Sequence, residues 1–243
     1  MNLVLAASVC AMLGSAVNAS AYTIEAFDNA TIQPAGPRSG ASGKAFFNIE
    51  GDNNGSFASY GVARFDGAAT RTALDLAYGS GQWRIDSVEL LLTQSNASFT
   101  TNGALTIAYT ADDSADIQPG TSGLQYPVAG DFADMQSVGD FNFVQVATGA
   151  VDSYLLYSRG VSASAGAMSL LQDLLTDDVL TLLLTEGDAS VAATYAGYSN
   201  FTYDGPTLSV VASPVPVPAA LPLIASAIGL LAVRRGGRVK QSA

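Results

Sequence analysis

The sequence predicts an all-β protein: a single jelly-roll-like β-sandwich with one short helix, set between an N-terminal signal peptide and a C-terminal transmembrane helix. Three observations predict this. Residues 22–213 are rich in Gly, Ser, Thr, Ala and Asn, with short apolar stretches between turn signals. Those stretches alternate apolar and polar residues, the period of a strand. Two oily runs bracket the segment, one at each end of the chain.

The N-terminal run, Leu3 to Leu13, has the length of a signal-peptide core. Ala19-Ser20-Ala21 follows as a small-x-small cleavage pattern, so residues 1–21 are expected to be removed, although no Lys or Arg precedes the run. Cys10, the only cysteine, lies inside this segment. Val9 before it argues against a lipoprotein, and the mature chain has no disulfide, which suits a bacterial envelope.

Residues 22–218 number 197, enough for one sandwich and too few for two domains. They hold all 21 acidic residues against Arg38, Lys44, Arg64, Arg71, Arg84 and Arg159, a net charge of −15. Such a surface repels phosphate backbones, which excludes nucleic acid as a partner. Histidine is absent. Without His or mature Cys, the Ser-His-Asp and Cys-His arrangements and His-based zinc sites are excluded.

Within the segment, Tyr60–Phe65 places Tyr60, Val62 and Arg64 on one face and Ala63 and Phe65 on the other. Trp83–Leu92 carries Ile85, Val88, Leu90 and Leu92, and Leu105, Ile107 and Tyr109 alternate with polar or small residues up to Thr110. The stretches around Leu155, from Val179 to Glu186 and from Pro206 to Ala212 complete the strands. The Val179 run, apolar on both faces, fits a central strand. Met168, Leu171, Leu174 and Leu175 recur at helical spacing, which predicts a helix over Ala167–Thr176 with that stripe in the core.

Candidate ligand residues are aromatic and acidic. Trp83, and Tyr198 and Tyr203 in "TYAGYSNFTYDG", are candidate sugar platforms, with core packing as the plainer alternative. Asp112, Asp113 and Asp116 fall within five residues after a strand and are a candidate calcium set, solvation being the default. Glu50, Asp52, Asn54 and Gly55 imitate the start of a calcium loop, but Gly61 occupies the position where the bidentate Glu belongs, and a turn accounts for them equally well. Asp131, Asp134 and Asp140 are expected to be solvated, and Asp177 and Asp178 to form a turn. As an enzyme, the chain could only be a glycosidase using paired carboxylates.

Residues 214–243 close the chain. Val217 to Val233 is an uncharged run of 17 residues, which as a helix covers roughly 25 Å. Prolines from Pro214 to Pro218 block a helix upstream, and Arg234, Arg235, Arg238 and Lys240 form a cytoplasmic basic stop. Val215-Pro216-Val217-Pro218-Ala219, the apolar run and Arg234-Arg235 together resemble the PEP-CTERM sorting signal in its Val-Pro-Leu-Pro-Ala variant, with Val217 where that family has Glu or Leu. The resemblance implies export, a transient inner-membrane intermediate, processing by an exosortase, and a final place at the cell surface or in the extracellular matrix of a Gram-negative bacterium, in biofilm and beside exopolysaccharide. "SYGVARFD", "IDSVELLL", "SLLQDLL" and "YSNFTYDGPTLSVV" further resemble, in order, DNRLRE-type jelly-roll domains similar to carbohydrate-binding modules, with Thr207 in place of an Arg. The expectation is a non-enzymatic matrix protein that binds exopolysaccharide with calcium. The alternative is a secreted glycan-degrading enzyme.

Overall fold

The computed structural model describes residues 19–40, 42–128, 130–132 and 134–215. The strands are β1 (Ser20–Glu25), β2 (Asp28–Gln33), β3 (Gly36–Pro37), β4 (Phe46–Glu50), β5 (Tyr60–Asp66), β6 (Trp83–Thr93), β7 (Gly103–Thr110), β8 (Gln136–Phe143), β9 (Val151–Ser158), β10 (Val179–Glu186), β11 (Ala192–Ala196) and β12 (Thr207–Pro214). The helices are α1 (Ser42–Ala45), α2 (Gly67–Tyr78) and α3 (Ala165–Thr176). One sheet runs β1-β12-β6-β9 and a second β3-β2-β5-β10-β7-β8, while β4 and β11 form a separate ribbon. Every pairing is antiparallel. Both large sheets draw strands from both halves of the chain, and β1 lies beside β12. The chain is an all-β sandwich, as the composition and period-2 patterning predict.

The main core fills the space between the two large sheets. Ile85, Val88, Leu90 and Leu92 of β6 meet Leu105, Ile107 and Tyr109 of β7 and Leu180, Leu182 and Leu184 of β10. Leu183 of β10 points the other way, into a second core with Tyr60 and Val62 of β5. This two-faced burial explains the continuous apolar run of β10, which β5 and β7 flank. Each fully buried leucine contributes about 1.5–3 kcal/mol relative to exposure, which ranks β10 among the strongest anchors of the fold.

The second core is covered by residues 111–135. Ile117, Leu124, Tyr126 and Phe132 bury themselves on the outer face of the six-stranded sheet. The acids of this segment hold it down. Asp131 Oδ2 accepts from the Tyr60 hydroxyl (2.7 Å) and the Gln125 N–H (2.9 Å), and Asp134 from the Thr110 hydroxyl (2.5 Å) and the Ala111 N–H (2.8 Å). Arg64 donates to the Ala115 carbonyl at 2.7 Å. Asp131 and Asp134 are thus structural acceptors rather than solvated charges, because the strand surface beneath offers them donors.

At the margins of the sandwich, Ser20 and Ala21 pair with Ala212 and Val211, and Pro214 pairs with Trp83. Two expectations need correction. Besides α3 there is a second 12-residue helix, α2. Asp66 caps it, accepting from the Ala69 N–H at 2.7 Å. The second concerns the rotation of α3. Ala167, Leu170 and Leu174 are buried, whereas Met168 and Leu175 are exposed. The Ser164 hydroxyl donates to the Val138 carbonyl (2.7 Å) and Ser169 to Gln136 (2.8 Å), which pins the helix to β8 and sets that rotation.

Candidate functional site

The ribbon of β4 and β11 sits at one end of the main core and makes the floor of a groove. β4 reads Phe-Phe-Asn-Ile-Glu. Alternation sends Phe47 and Ile49 into the core and leaves Phe46, Asn48 and Glu50 on the outward face. In β11, Ala193 and Tyr195 go inward, and Ala192 and Thr194 stand opposite Glu50 and Asn48. The small side chain of Ala192 keeps the floor open beside Glu50. Phe47 is seated against β5 at Gly61, where a Cβ would come within 2.5 Å of the ring.

Two walls rise from this floor. One is the 3-10 segment Asp52–Phe57, fixed by Asn54 Nδ2, which donates to the Gly51 (2.9 Å) and Val191 (3.0 Å) carbonyls. Gly55 turns it at φ 61°, in the left-handed region that favours glycine. The other is the connection from β6 to β7. The Ser95 N–H donates to the Thr194 carbonyl (3.1 Å), and Thr101 and Ala192 exchange backbone bonds of 2.9 and 3.0 Å, so this segment extends the ribbon along β11. Phe57 on the first wall and Phe99 on the second are 61% and 76% exposed, so both present ring faces to solvent. The groove encloses about 550 Å³, within the ordinary range for a small-ligand site.

The floor is polar and incompletely satisfied. Asn48 Nδ2 donates to Glu50 Oε1 (2.8 Å) and to the Thr194 hydroxyl (3.2 Å), and the Asn48 N–H is taken by the Thr31 hydroxyl (3.0 Å). Asn48 Oδ1 has no partner, although the residue is only 7% exposed. A buried acceptor left unpaired costs about 1–3 kcal/mol. Burial pushes the Glu50 carboxyl up, against the Asn48 N–H and the Arg38 charge, which both pull it down. Exposed aromatic faces, side-chain amides, hydroxyls and one acid–base pair can together stack on and hydrogen-bond a sugar chain.

The candidates read from sequence lie elsewhere. Trp83 is half-buried against the main core, and its indole N–H donates to Asp75 Oδ1 at 2.6 Å. That bond holds the Asp75 carboxyl below its usual range. Tyr198 is 43% exposed in the connection from β11 to β12, and Tyr203 lies half-buried against Gly149. None of the three lines the groove.

The calcium set is not assembled. Asp112 accepts from Ser114, Asp113 from the Thr181 hydroxyl and Asp116 from the Gln118 N–H. Asp52 accepts from the Tyr126 hydroxyl at 2.8 Å. Among the described residues no three acidic side chains converge as a metal site requires. Local turns and strand-end hydroxyls occupy these carboxylates one by one.

Asp177 and Asp178 do lie at the turn after α3, and Arg71 of α2 meets them there. Arg71 donates to the Leu174 carbonyl (3.3 Å), the Asp177 carbonyl and Asp178 Oδ1 (2.7 Å), supplying a cation at the helix C-terminus.

Of the sorting motif, Val215 is described, and its N–H donates to the Gln82 carbonyl at 2.8 Å, continuing the pairing of β12 with β6. Pro216, Val217, Pro218, Ala219, Arg234, Arg235 and the apolar run 217–233 lie outside the described residues, as do residues 1–18 of the signal segment. Among the described residues no helix is long and apolar enough to cross a membrane. No family model and no curated protein matches the chain.

Sequence reasoning missed Phe46, Asn48, Phe57, Asn96 and Phe99 as one surface. The signal was present in "FFNIE", where an amide and an acid alternate with buried residues on a strand. The wall that carries Phe57 follows β4 directly, but Asn96 and Phe99 lie 46 residues and more beyond Glu50 and could not be joined to it without the pairing of β11 to β4.

Proposed function

We propose that this protein is an exported, exosortase-processed component of the cell surface or extracellular matrix, non-enzymatic, that holds polysaccharide in the groove over β4 and β11. The observation that carries the reading is the groove itself, an amide- and hydroxyl-lined floor flanked by the exposed rings of Phe57 and Phe99. The tail's resemblance to a sorting signal supplies delivery. The glycan-degrading alternative requires two carboxylates about 5–10 Å apart. Glu50 is the one carboxylate among the groove's lining residues, which favours binding over cleavage.

The test is retention of the full-length protein, purified from its host, on exopolysaccharide released by the same cells. Retention without new reducing ends, lost in the Phe57→Ala/Phe99→Ala variant, supports the reading. Release of reducing ends that survives purification would replace it with the enzyme. For delivery, removing residues 219–243 should change the mature mass and the retention at the cell; neither changing would sink the sorting role.

A further inference from the structure

Resting on the reading of the groove as a glycan site, we propose that it takes an acidic polysaccharide in which isolated uronate sugars stand among neutral ones, with Arg38 holding the single carboxylate.

Arg38 is set beside the floor by its own backbone. It follows β3, and its N–H donates to the Thr31 carbonyl at 2.8 Å. The Thr31 hydroxyl reaches the other way, donating to the Phe46 carbonyl (3.4 Å) and accepting from the Asn48 N–H (3.0 Å). Thr31 of β2 thus ties Arg38 to the strand that makes the floor, and Arg38 lines the groove there.

The Arg38 guanidinium is uncommitted. The other five cations of the domain each have a partner. Lys44 pairs with Asp28, Arg71 with Asp178, and Arg84 and Arg159 share Asp86, while Arg64 donates to the Ala115 carbonyl. Among the described residues Arg38 enters no ion pair, and its side chain makes no hydrogen bond. A guanidinium only donates, and its planar fork matches a carboxylate through two parallel bonds. A free fork in a groove flanked by exposed rings fits a sugar that carries a carboxylate.

Glu50 limits how much negative charge can enter. The Arg38 charge acts on it, yet the two form no ion pair, and Glu50 Oε1 is engaged by Asn48 Nδ2 at 2.8 Å. One ligand carboxylate fills the fork. A second would face Glu50 with no cation left to meet it. The acidic surface of the domain, 21 acids against six cations, disfavours a polyanion in the same way. That field is screened beyond about 10 Å in 0.1 M salt, whereas a carboxylate on Arg38 sits at hydrogen-bond distance. The other polar lining groups, such as Asn54, Asn96, Ser98 and Thr100, are uncharged, which suits neutral sugars on either side of the uronate.

The experiment measures the apparent affinity of the protein, purified from its host, for three immobilised probes. They are exopolysaccharide released by the same cells, the same polymer after reduction of its carboxyl groups to alcohols, and polygalacturonate. Reduction removes the charge and keeps the linkages. The unreduced polymer should be held about tenfold more tightly than the reduced one, or better. It should also be held more tightly than polygalacturonate, in which every sugar is charged. Arg38→Gln should lower the affinity for the unreduced polymer to that for the reduced one, with the melting temperature unchanged. Arg38→Lys should recover only part of the loss, because an ammonium lacks the fork. If Arg38→Gln does not fold, the comparison of reduced and unreduced polymer decides alone. Equal affinity for those two would overturn the inference while leaving a glycan site. So would a folded Arg38→Gln variant that still discriminates between them, or tighter binding of polygalacturonate than of the unreduced polymer. Retention on none of the three would remove the glycan reading of the groove and this inference with it.

Discussion

Asn48 Nδ2 and Glu50 Oε1, two residues apart on the outward face of β4, are joined across 2.8 Å. The bond fixes which way the amide points and leaves its oxygen buried and unpaired. A second acceptor of the amide, the Thr194 hydroxyl, comes from β11 and locks the same orientation. The floor is therefore preorganised, so a ligand in the groove would lose little affinity to reordering it.

Replacing Asn48 by Asp tests this directly. The substitution keeps the shape, but the new carboxylate cannot donate to Glu50 and faces its charge. Polysaccharide retention should fall about tenfold or more, and the melting temperature should drop by a few degrees. Retention assays paired with thermal melts decide it; full retention would show that the Asn48–Glu50 bond does not set the site.

Phe99→Ala should act on binding alone. The ring is 76% exposed, so its loss removes little packing, and stability should change by less than about 0.5 kcal/mol. If the ring stacks on sugar, affinity should fall about fivefold to tenfold. A large fall in stability would instead make Phe99 a structural residue.

Asp173 gives the stability a defined pH dependence. Its side chain is buried on α3 with one oxygen unpartnered. Burial, opposed by the Tyr109 hydroxyl and Arg71 and reinforced by Asp177 and Asp113, pushes its carboxyl up to about 6. The native state thus holds this proton more tightly than the unfolded chain, whose carboxyl titrates near 4. This group favours the folded state at low pH, and its contribution is lost as pH rises through about 4 to 6. Relative to the unaltered protein, Asp173→Asn should gain about 1–3 kcal/mol between pH 4 and pH 7.5. Denaturant unfolding at the two pH values measures that difference, and a constant difference would refute the assignment.

Elements built on one strong local pattern were legible in the sequence. The strands containing Val62, Leu90, Ile107, Leu155, Leu183 and Val210 announce themselves by alternation or by an unbroken apolar run, and α3 by its leucines. What was hidden depended on partners distant along the chain. In α2 Leu74 is the one large apolar side chain fully buried, while Leu76 is 89% exposed, so no stripe marks the helix. The rotation of α3 follows from Ser164 and Ser169 bonding to β8, which helical spacing cannot reveal. The acids of residues 111–135 look alike in sequence. Asp131 becomes an anchor because Tyr60 lies beneath it, while Asp116 merely closes a turn with Gln118. The groove joins three segments through the register of β11 on β4, and no local motif encodes that register.

Gly61 should resist any side chain. A Cβ there would meet the Phe47 ring at 2.5 Å, and Phe47 is fully buried beneath the groove floor. Gly61→Ala should destabilise by about 1–3 kcal/mol. Shrinking the ring with Phe47→Leu should recover part of that loss in the double variant. Strict additivity of the two single changes in denaturant unfolding would show that the contact is not the cause.

The Tyr126 hydroxyl couples the covering segment to the groove wall. It lies 2.8 Å from Asp52 Oδ1 and 2.6 Å from Glu186 Oε1, and its single proton serves both carboxylates. Asp52 opens the 3-10 segment that carries Asn54 and Phe57. In Tyr126→Phe the two carboxylates lose that donor, and stability should fall by about 1–2 kcal/mol. Because the lost bond anchors the start of the wall, polysaccharide retention should weaken as well, although Tyr126 is not among the groove's lining residues. Hydrogen exchange should report faster opening of Asn53–Ala58 than of β7 or β10. Loss of stability with retention and exchange of the wall unchanged would confine the effect of Tyr126 to the second core.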